Sequence, residues 1–423
     1  MIPKVLVISN ECFSSKSSNG RTLGNFFAGW PKENLAQFFL NGKPDTHYCD
    51  NFFRVSDRQA LNAVLGRNDR GGKIKIESIK LDSTMVSVVK KKKTRNALTM
   101  LIRNAVWKIG AWENSGYWKW VQEVQPDIVL LQAGDCAFMY NLAVRTAERV
   151  NANLVIYNSE GYYYKNFDYF CGRGIAHALY PIFRRQLMKA LEKAYNIASC
   201  AIYICDELKE QYAENFTIRS EVVYTGSEIT YEPKTVKNSS FRTVYCGNLG
   251  LKRHESLIEI ADVLQSISKN LYVDVYGKAP DNQVLEALNS CKGIRYHGIV
   301  PYEQVKYILR ESDLLLYVES FDSFYQEDIK FGFSTKIADS LACGNSFLLY
   351  APEHFACYQY LKKNKAAFTA SNRLQLELVL KSIIDNPEER SKYRKAALAL
   401  AEKNHNVEKN KKKFQKILQE LKT

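Results

Sequence analysis

The feature that most constrains the fold is a regular alternation of short apolar runs with longer amphipathic stretches. The runs are rich in β-branched and aromatic residues and lie at 4–9, 127–132, 153–158, 201–205, 243–247, 272–277, 294–298, 314–318 and 346–351. Between them, stretches such as residues 254–267 carry apolar side chains at helical spacing. Strands that alternate with helices predict parallel sheets covered by helices on both faces. We therefore expect a doubly wound α/β fold.

Length and one polar stretch divide this pattern into two domains. The chain has 423 residues, enough for two domains of ordinary size. Residues 226–243 are polar, contain Pro233 and show no sustained period, which is typical of a linker. We predict a Rossmann-like domain over residues 1–227 and another over 228–398. Two such domains face each other across a cleft at the carboxyl ends of their strands.

The chain carries an excess of positive charge, with 59 Lys and Arg against 45 Asp and Glu, a net charge of +14. This excess favours anionic partners such as nucleic acid, a phosphorylated substrate or an acidic membrane face, or it is only a solvated basic surface. No zinc spacing, RNP-like motif or helix-turn-helix is evident, so nucleic acid is not predicted. The ten cysteines form no CxxC pair, and neither a secretory signal nor an apolar run of ~20 residues is present. We expect a reduced, cytoplasmic location.

The stretch FGFSTKIADSLACG lies between two predicted strands and combines small, basic and acidic residues. Ser334 or Thr335 at a helix start would satisfy N-terminal amides, and these amides with the helix dipole form an anion site. Gly332 lets the backbone approach a phosphate, and Lys336 adds a full positive charge. Asp339, one turn further on, is placed to accept hydrogen bonds from sugar hydroxyls. The alternative is an ordinary capped helix whose lysine faces water.

A second stretch of this kind, YCGNLGLKRHESL, leads from a predicted strand through a turn into a helix. The turn contains Gly247 and Gly250, followed by Lys252 and Arg253. The first strand-to-helix turn of a doubly wound domain is where phosphates bind, and arginine can contact a phosphate through two parallel hydrogen bonds. The alternative is a tight turn with two exposed cations. The sequence GNLG is not GxGxxG, so a dinucleotide site is not indicated.

Together these two stretches resemble the second domain of retaining glycosyltransferases of the two-Rossmann type (GT-B), the large family often called family 4. The usual patterns there are GRLxxxKG and EGFGLPxLEAMACG. Asn248 falls on the arginine of the first pattern and Arg253 on its lysine. Gly332 falls on the first glycine of the second pattern and Asp339 on its later glutamate. With STK in place of GLP, the chain is similar to bacterial cell-envelope and capsule transferases.

The resemblance implies a role for each matching residue. The residues that would bind the donor diphosphate are Gly247, Asn248, Arg253, Gly332, Phe333, Ser334, Thr335 and Lys336, and Asp339 would bind the ribose. The family's first glutamate falls on Phe331, and the segment before it offers Glu319, Asp322, Glu327 and Asp328 instead. The candidates for a catalytic residue are Glu160, Asp322 and Glu327.

The N-terminal half adds two candidate loops. Asn19, Gly20 and Arg21 follow the first predicted strand in a small polar loop, which in the family lines the cleft near donor and acceptor. Glu160 follows another strand within a tyrosine-rich segment, residues 157–170, that suits stacking on a sugar ring. A plain strand-to-helix turn and an aromatic loop packed over the sheet are the alternatives.

Residues 90–112 combine cations with an amphipathic stretch. Lys90–Lys93 and Arg95 lie close in sequence to Trp107 and Trp112. Basic residues beside tryptophan suit an anionic membrane surface. A solvated helix face and nucleic-acid contact are the alternatives. We predict peripheral association with the inner face of the cytoplasmic membrane.

The resemblance as a whole implies transfer of a sugar from a nucleoside-diphosphate sugar to a lipid-linked or polysaccharide acceptor of the cell envelope. It implies retention of the anomeric configuration, no metal or other cofactor, and a C-terminal helix, residues 399–423, that returns towards the first domain. The alternatives are a nucleotide-sugar epimerase or hydrolase on the same fold, and a non-catalytic basic protein that binds a membrane or nucleic acid.

Overall fold

The structure, a computed structural model, describes residues 2–14, 18–74, 95–234 and 240–422. The chain divides into two compact units, which we describe one at a time. The first unit comprises Met1–Val223 and Lys411–Thr423, and the second comprises Tyr224–Asn410. The boundary expected from the sequence, at residue 227, lies a few residues after this division.

The first unit is built on an eight-stranded sheet. Its strands are β1 Val5–Glu11, β2 Leu35–Asn41, β3 Asn51–Arg54, β4 Gly72–Lys73, β5 Ile128–Gln132, β6 Asn153–Asn158, β7 Cys200–Tyr203 and β8 Ser220–Val222. Their spatial order is β4-β3-β2-β1-β5-β6-β7-β8, and all neighbours are parallel except β3 and β4. The central strands are buried along most of their length because helices cover both faces, which explains their continuous apolar sequences.

The helices of the first unit connect these strands. They are α1 Ser18–Phe26, α2 Asp57–Val64, α3 Ala97–Ile109, α4 Tyr117–Val124, α5 Ala137–Val150, α6 Ile175–Ala178, α7 Tyr180–Ile197 and α8 Asp206–Ala213. Capping boxes fix the starts of α2 and α3, at Ser56 and Asn96. Short 3-10 turns lie at Lys32–Asn34, Ala111–Ser115 and Tyr162–Tyr164.

An aromatic core fills the space between α3 and the sheet, and it contains both tryptophans that the sequence placed near a membrane. Trp107 is 2% exposed and stacks on Phe138 with ring centroids 4.4 Å apart. Trp112 is 1% exposed and packs against Phe38. The expectation that these tryptophans contact a lipid surface is wrong, because the apolar stripe of α3 that contains Trp107 faces the core. Lys90–Lys93 lie outside the described residues.

The C-terminal segment completes the first unit. Phe414 is fully buried and stacks on Phe26, with ring centroids 4.7 Å apart. Lys422 donates a hydrogen bond to Asp127 at 2.9 Å. Residues from Lys411 onwards therefore pack against the sheet that the first half of the chain forms.

The second unit is built on a six-stranded sheet in which all neighbouring strands are parallel. Its strands are β9 Thr243–Cys246, β10 Val273–Tyr276, β11 Ile294–Gly298, β12 Leu314–Val318, β13 Ser346–Tyr350 and β14 Phe368–Ala370. Their order is β11-β10-β9-β12-β13-β14. The order runs outward from β9 in one direction and from β12 in the other, as in doubly wound nucleotide-binding folds.

The helices of the second unit lie between these strands and after the last one. They are α9 Arg253–Ile267, α10 Asn282–Ser290, α11 Tyr302–Arg310, α12 Ser323–Ile329, α13 Thr335–Ala342, α14 Ala356–Lys363, α15 Arg373–Asp385 and α16 Pro387–Asn404, followed by α17 Val407–Glu420. The sequence predicted one helix over residues 399–423, whereas the structure breaks it at His405. A buried hydrogen bond from the His405 ring to the Thr225 carbonyl holds this break in place.

No helix within the described part of the chain combines the length and the apolar character needed to cross a bilayer.

Candidate functional site

The candidate site lies where the strand order of the second unit reverses. Strands β9 and β12 are neighbours, and the connections after them lead away in opposite directions. In open α/β sheets this reversal opens a crevice at the carboxyl ends of the strands, where ligands bind. Gly247 follows β9 and Glu319 follows β12. The turn after β9 therefore meets the segment that precedes the second stretch, through the contact of Arg253 with Glu319.

Glycines lie at the carboxyl ends of three adjacent strands, β9, β10 and β11. These are Gly247, Gly277 and Gly298. A Cβ added to Gly277 would lie 1.9 Å from the Gly247 carbonyl oxygen, and Gly277 has a φ of +154°. Side chains are therefore excluded here, and the strand ends offer bare backbone to a ligand. The sequence reasoning used only Gly247, although all three apolar runs visibly end in glycine.

Arg253, the first residue of α9, forms a buried ion pair at this crevice. Its Nε and Nη2 atoms lie 2.7 and 2.6 Å from Oε2 of Glu319. The arginine side chain is 13% exposed and the glutamate 5%. Tyr317 donates a hydrogen bond to the other carboxylate oxygen at 2.6 Å. The position predicted for a phosphate-binding cation is thus a guanidinium held by Glu319, and Glu319 is itself held by Tyr317.

Lys336 lies beside this pair, at the start of α13. Ser334 caps the helix, as the sequence predicted, and its side chain accepts a hydrogen bond from the Lys336 backbone N–H at 3.3 Å. Burial lowers the pKa of Lys336 below its ordinary value, and the positive charge of Arg253 lowers it further. Within the described residues no carboxylate forms an ion pair with the Lys336 ammonium. The crevice therefore holds two neighbouring cations and a helix N-terminus.

Gly332 and Phe333 form the loop that leads into α13. A Cβ on Gly332 would come within 3.0 Å of the Ile329 carbonyl oxygen, so the loop is tight at this point. Phe333 is buried and stacks parallel to the His405 ring, with centroids 5.7 Å apart. The buried Phe333 side chain thus anchors the loop backbone from Phe333 to Thr335.

His405 is the centre of that anchor. Its ring accepts a hydrogen bond from Tyr360 at 2.9 Å and donates one to the Thr225 carbonyl at 2.9 Å. Tyr224 packs edge-on against the ring, with centroids 5.3 Å apart. Burial lowers the pKa of His405 to about 4, so the imidazole is neutral near neutral pH. No periodic pattern or motif in the sequence points to this residue.

Asp339, the predicted ribose ligand, lies one helical turn after Lys336. Its Oδ1 accepts a hydrogen bond from the Ser227 hydroxyl at 2.7 Å. Ser227 also accepts from the Ile229 backbone N–H, so a residue of the stretch predicted as a linker orients the carboxylate. Sequence reasoning missed Ser227 because it is 112 positions from its partner.

The turn before α9 has an unusual backbone. Leu251 and Lys252 both adopt left-handed conformations, with φ of 59° and 58°. Asn248, on the family's arginine position, is exposed, and its side chain accepts a hydrogen bond from the Gly250 backbone N–H at 2.9 Å. Asn248 therefore shapes the turn. Non-glycine residues in left-handed conformations are costly and cluster at functional sites.

Two of the acidic candidates near α12 lie in local pairs. Asp322 caps that helix and accepts a hydrogen bond from Lys252 at 2.8 Å, and this lysine lowers the pKa of Asp322. Glu327 is half exposed and pairs with Lys330 one turn away. Of the acidic residues in the segment before Phe331, Glu319 is the one that pairs with Arg253.

The candidates of the first unit lie in helix α1 and after strand β6. Asn19, Gly20 and Arg21 are inside helix α1, so the expectation of a loop there is wrong. Helix α1 already begins at Ser18. Glu160 follows β6 and lies 3.0 Å from the ammonium of Lys165, whose side chain is 8% exposed. Lys165 in turn lies over the Tyr162 ring at 4.8 Å, so this carboxylate belongs to an aromatic and basic cluster.

Comparison with known proteins identifies the general class of the chain. Residues 253–416 match the family described as "Glycosyl transferase-like". The match begins at Arg253 and contains Lys336 and Asp339. It confirms the prediction of an enzyme of the glycosyltransferase class. A search of curated protein sequences found no significant match.

Solved structures with the same fold cover nearly the whole chain at low sequence identity. HepE of Anabaena in complex with UDP has a TM-score of 0.64 at 10% identity, over 99% of this chain and 100% of that one. Sucrose-phosphate synthase of Thermosynechococcus elongatus has a TM-score of 0.60 at 9% identity, over 99% of both chains. WaaG, a glycosyltransferase involved in lipopolysaccharide biosynthesis, has a TM-score of 0.57 at 12% identity, over 98% of this chain and 99% of that one. The fold is GT-B, as predicted.

Proposed function

We propose that this protein transfers a sugar from a nucleoside-diphosphate sugar, which it binds at the carboxyl edge of the second unit. The observation that carries the proposal is the pair of neighbouring cations, Arg253 and Lys336, at the point where the strand order reverses. Lys336 forms no ion pair with a described carboxylate, and its lowered pKa reflects burial beside another positive charge. A bound diphosphate would neutralise Lys336 and accept charge-assisted hydrogen bonds from Arg253 as well.

The donor diphosphate lies, in this proposal, between Arg253 and the N-terminus of α13. Glu319 holds Arg253 through Nε and Nη2, so Nη1 is the group left for the ligand. Lys336 and the backbone of Phe333–Thr335 contact the other phosphate oxygens, where the helix dipole favours negative charge. The bare strand ends at Gly247, Gly277 and Gly298 leave room for the nucleoside.

Asp339 binds the ribose of the donor. A carboxylate can accept several hydrogen bonds, so the contact with Ser227 fixes its orientation without using its full capacity. The structural relative HepE is known in complexes with UDP and with UDP-glucose, which makes these two molecules the natural first ligands to test.

The proposed transfer retains the anomeric configuration and needs no metal ion. Fixed cations and a helix N-terminus stabilise the charge that develops on the leaving diphosphate, which is the role a metal plays elsewhere. The proposed acceptor is a lipid-linked or polysaccharide molecule of the cell envelope, reached from the cytoplasmic side. The STK variant of the second motif and the likeness to WaaG support this acceptor class.

Product analysis by NMR tests the transfer itself. Incubated with a panel of nucleotide sugars and candidate acceptors, the protein should release nucleoside diphosphate only when an acceptor is present, and the new glycosidic bond should have the anomeric configuration of the donor. A chelator should leave the rate unchanged. Conversion of the nucleotide sugar at a rate that does not depend on the acceptor would indicate an epimerase or hydrolase. An inverted product, or activity restored by one metal, would contradict the mechanism.

The affinity for nucleoside diphosphate should fall at alkaline pH because of Lys336. The pKa of this lysine is lowered in the free protein, so the crevice loses a positive charge as the pH rises through that lowered value, below the ordinary pKa of lysine. A bound diphosphate raises the pKa again, so binding takes up a proton in this range. In the Lys336→Arg variant the charge persists, and calorimetry should find an affinity that stays flat up to pH 10. Equal slopes in both proteins would contradict the assignment.

A further inference from the structure

The solvent-facing side of helix α3 carries an apolar stripe. Leu98, Ile102 and Ile109 are 40%, 56% and 63% exposed. Their spacing, together with exposed Ala105 between the last two, places all four on one face of the helix. The opposite face, with Met100 and Trp107, is buried in the core of the first unit.

Helices α6 and α7 add a second exposed apolar stripe next to the first. Ile175 and Ile182 are 73% and 51% exposed. Both helices pack against α3, and the Asn104 side chain donates a hydrogen bond to Gln186 at 3.4 Å. Arg95, just before α3, lies over the Phe170 ring at 5.6 Å, so α3 and the segment 170–186 run side by side in the same direction. We call this combined surface the α3–α7 face.

The charged side chains that the α3–α7 face itself contributes are all basic. Three neighbouring aspartates are each paired with one of its residues: Asp57 with Arg103, Asp135 with Arg95 and Asp168 with His177. Residues 95–112 and 169–191, which form the face, contain no Asp or Glu. They contribute exposed cations at Lys108, Arg173, Arg185 and Lys189. In the sequence, Lys90–Lys93 precede residues 95–112 and are separated from them by Thr94.

We propose that the α3–α7 face is a docking surface for an anionic lipid membrane. Exposed isoleucine and leucine side chains among exposed lysine and arginine side chains match a bilayer interface, where apolar side chains enter the headgroup region and cations attract acidic lipids. The side chains that would enter the headgroup region are the exposed leucine and isoleucines of this face. Trp107 and Trp112 are buried and cannot do so. A second copy of the chain fits this surface less well, because two like-charged faces would meet.

Vesicle sedimentation tests the surface, with the full chain and vesicles of phosphatidylcholine alone or mixed with phosphatidylglycerol. We expect binding to the mixed vesicles at low salt, weakened but not abolished at high salt, and at least tenfold weaker binding to phosphatidylcholine alone. A double variant, Ile102→Asp with Ile182→Asp, should reduce binding to the mixed vesicles at least tenfold. Replacing Lys90–Lys93 with Ser should also reduce it.

The second unit offers a matched control. Leu374 and Leu378 are exposed to 75% and 71% on helix α15, where Glu377 and Asp385 interrupt the positive charge. Leu374→Asp with Leu378→Asp should leave vesicle binding unchanged, although it removes as much exposed apolar surface. Tryptophan fluorescence checks that the first unit of each variant is folded, because all five tryptophans lie there.

Several results would overturn the proposal. They are absence of binding to the mixed vesicles at low salt, equal loss of binding in the control, and full binding by the Ile102 and Ile182 double variant. Dimerisation in solution that the double variant abolishes would assign the face to a second copy instead. Binding of nucleic acid that depends on the same two isoleucines would likewise replace the lipid as partner.

Discussion

Replacing Arg253 with Ala should destabilise the second unit by about 3–5 kcal/mol, since removing one partner of a buried ion pair leaves an uncompensated charge. Glu319 is 5% exposed, so its carboxylate depends on the guanidinium for compensation of its charge. This loss is a large fraction of the stability of an ordinary domain, about 5–15 kcal/mol. Hydrogen exchange measured by mass spectrometry should show faster exchange in α9 and β12.

The first unit is an internal control for this experiment. Its tryptophan fluorescence transition should not move, because all five tryptophans belong to it. The double variant Arg253→Met with Glu319→Gln removes both charges and keeps an acceptor for Tyr317, so it should recover most of the lost stability. It should still bind nucleoside diphosphate at least about tenfold more weakly than wild type. A single variant as stable as wild type would show that the pair is not buried in solution.

His405 should make the second unit lose stability between pH 6.5 and pH 4. The folded protein holds the imidazole neutral with a pKa of about 4, against the ordinary value of 6.5. The unfolded chain therefore binds a proton in this range that the folded chain does not, and stability falls as the pH is lowered. The difference of two to three pKa units corresponds to about 3 kcal/mol.

A His405→Gln variant isolates this contribution, since carboxylates titrate over part of the same range. The difference in stability between wild type and variant should shrink by about 3 kcal/mol from pH 7 to pH 4. His354→Gln, at an exposed histidine of the same unit, should show the wild-type pH dependence. A pH dependence that persists unchanged in His405→Gln would contradict a neutral, buried imidazole.

The parts of the fold that depend on local pattern were predictable from the sequence. The apolar runs of the central strands identified β5, β6, β9 and β12 because strands buried on both faces need continuous apolar side chains. The start of α13 was predictable as well, since Ser334 caps it through a contact two residues away. For these strands and for the start of α13, local sequence preference and tertiary packing favour the same structure.

Contacts between residues distant in sequence were not predictable. The motif identified Arg253 as a cation but not its ion pair, because Glu319 is 66 positions away. Tyr317 was missed although it lies two residues before Glu319, on the same side of the strand. Trp107 was assigned to the surface because amphipathicity shows that a helix has an apolar face without showing what covers it.

The most direct test of the donor-site proposal is a calorimetric titration of the wild-type protein and a Lys336→Met variant with UDP, UDP-glucose and other nucleoside diphosphates. Lys269→Met, at an exposed lysine of the same unit, serves as control. We predict saturable one-to-one binding of at least one nucleotide to wild type and control, and at least about tenfold weaker binding to Lys336→Met, because a charge-assisted contact is lost. Undiminished affinity in a folded Lys336→Met protein, or no nucleotide binding by wild type, would contradict the proposed donor site.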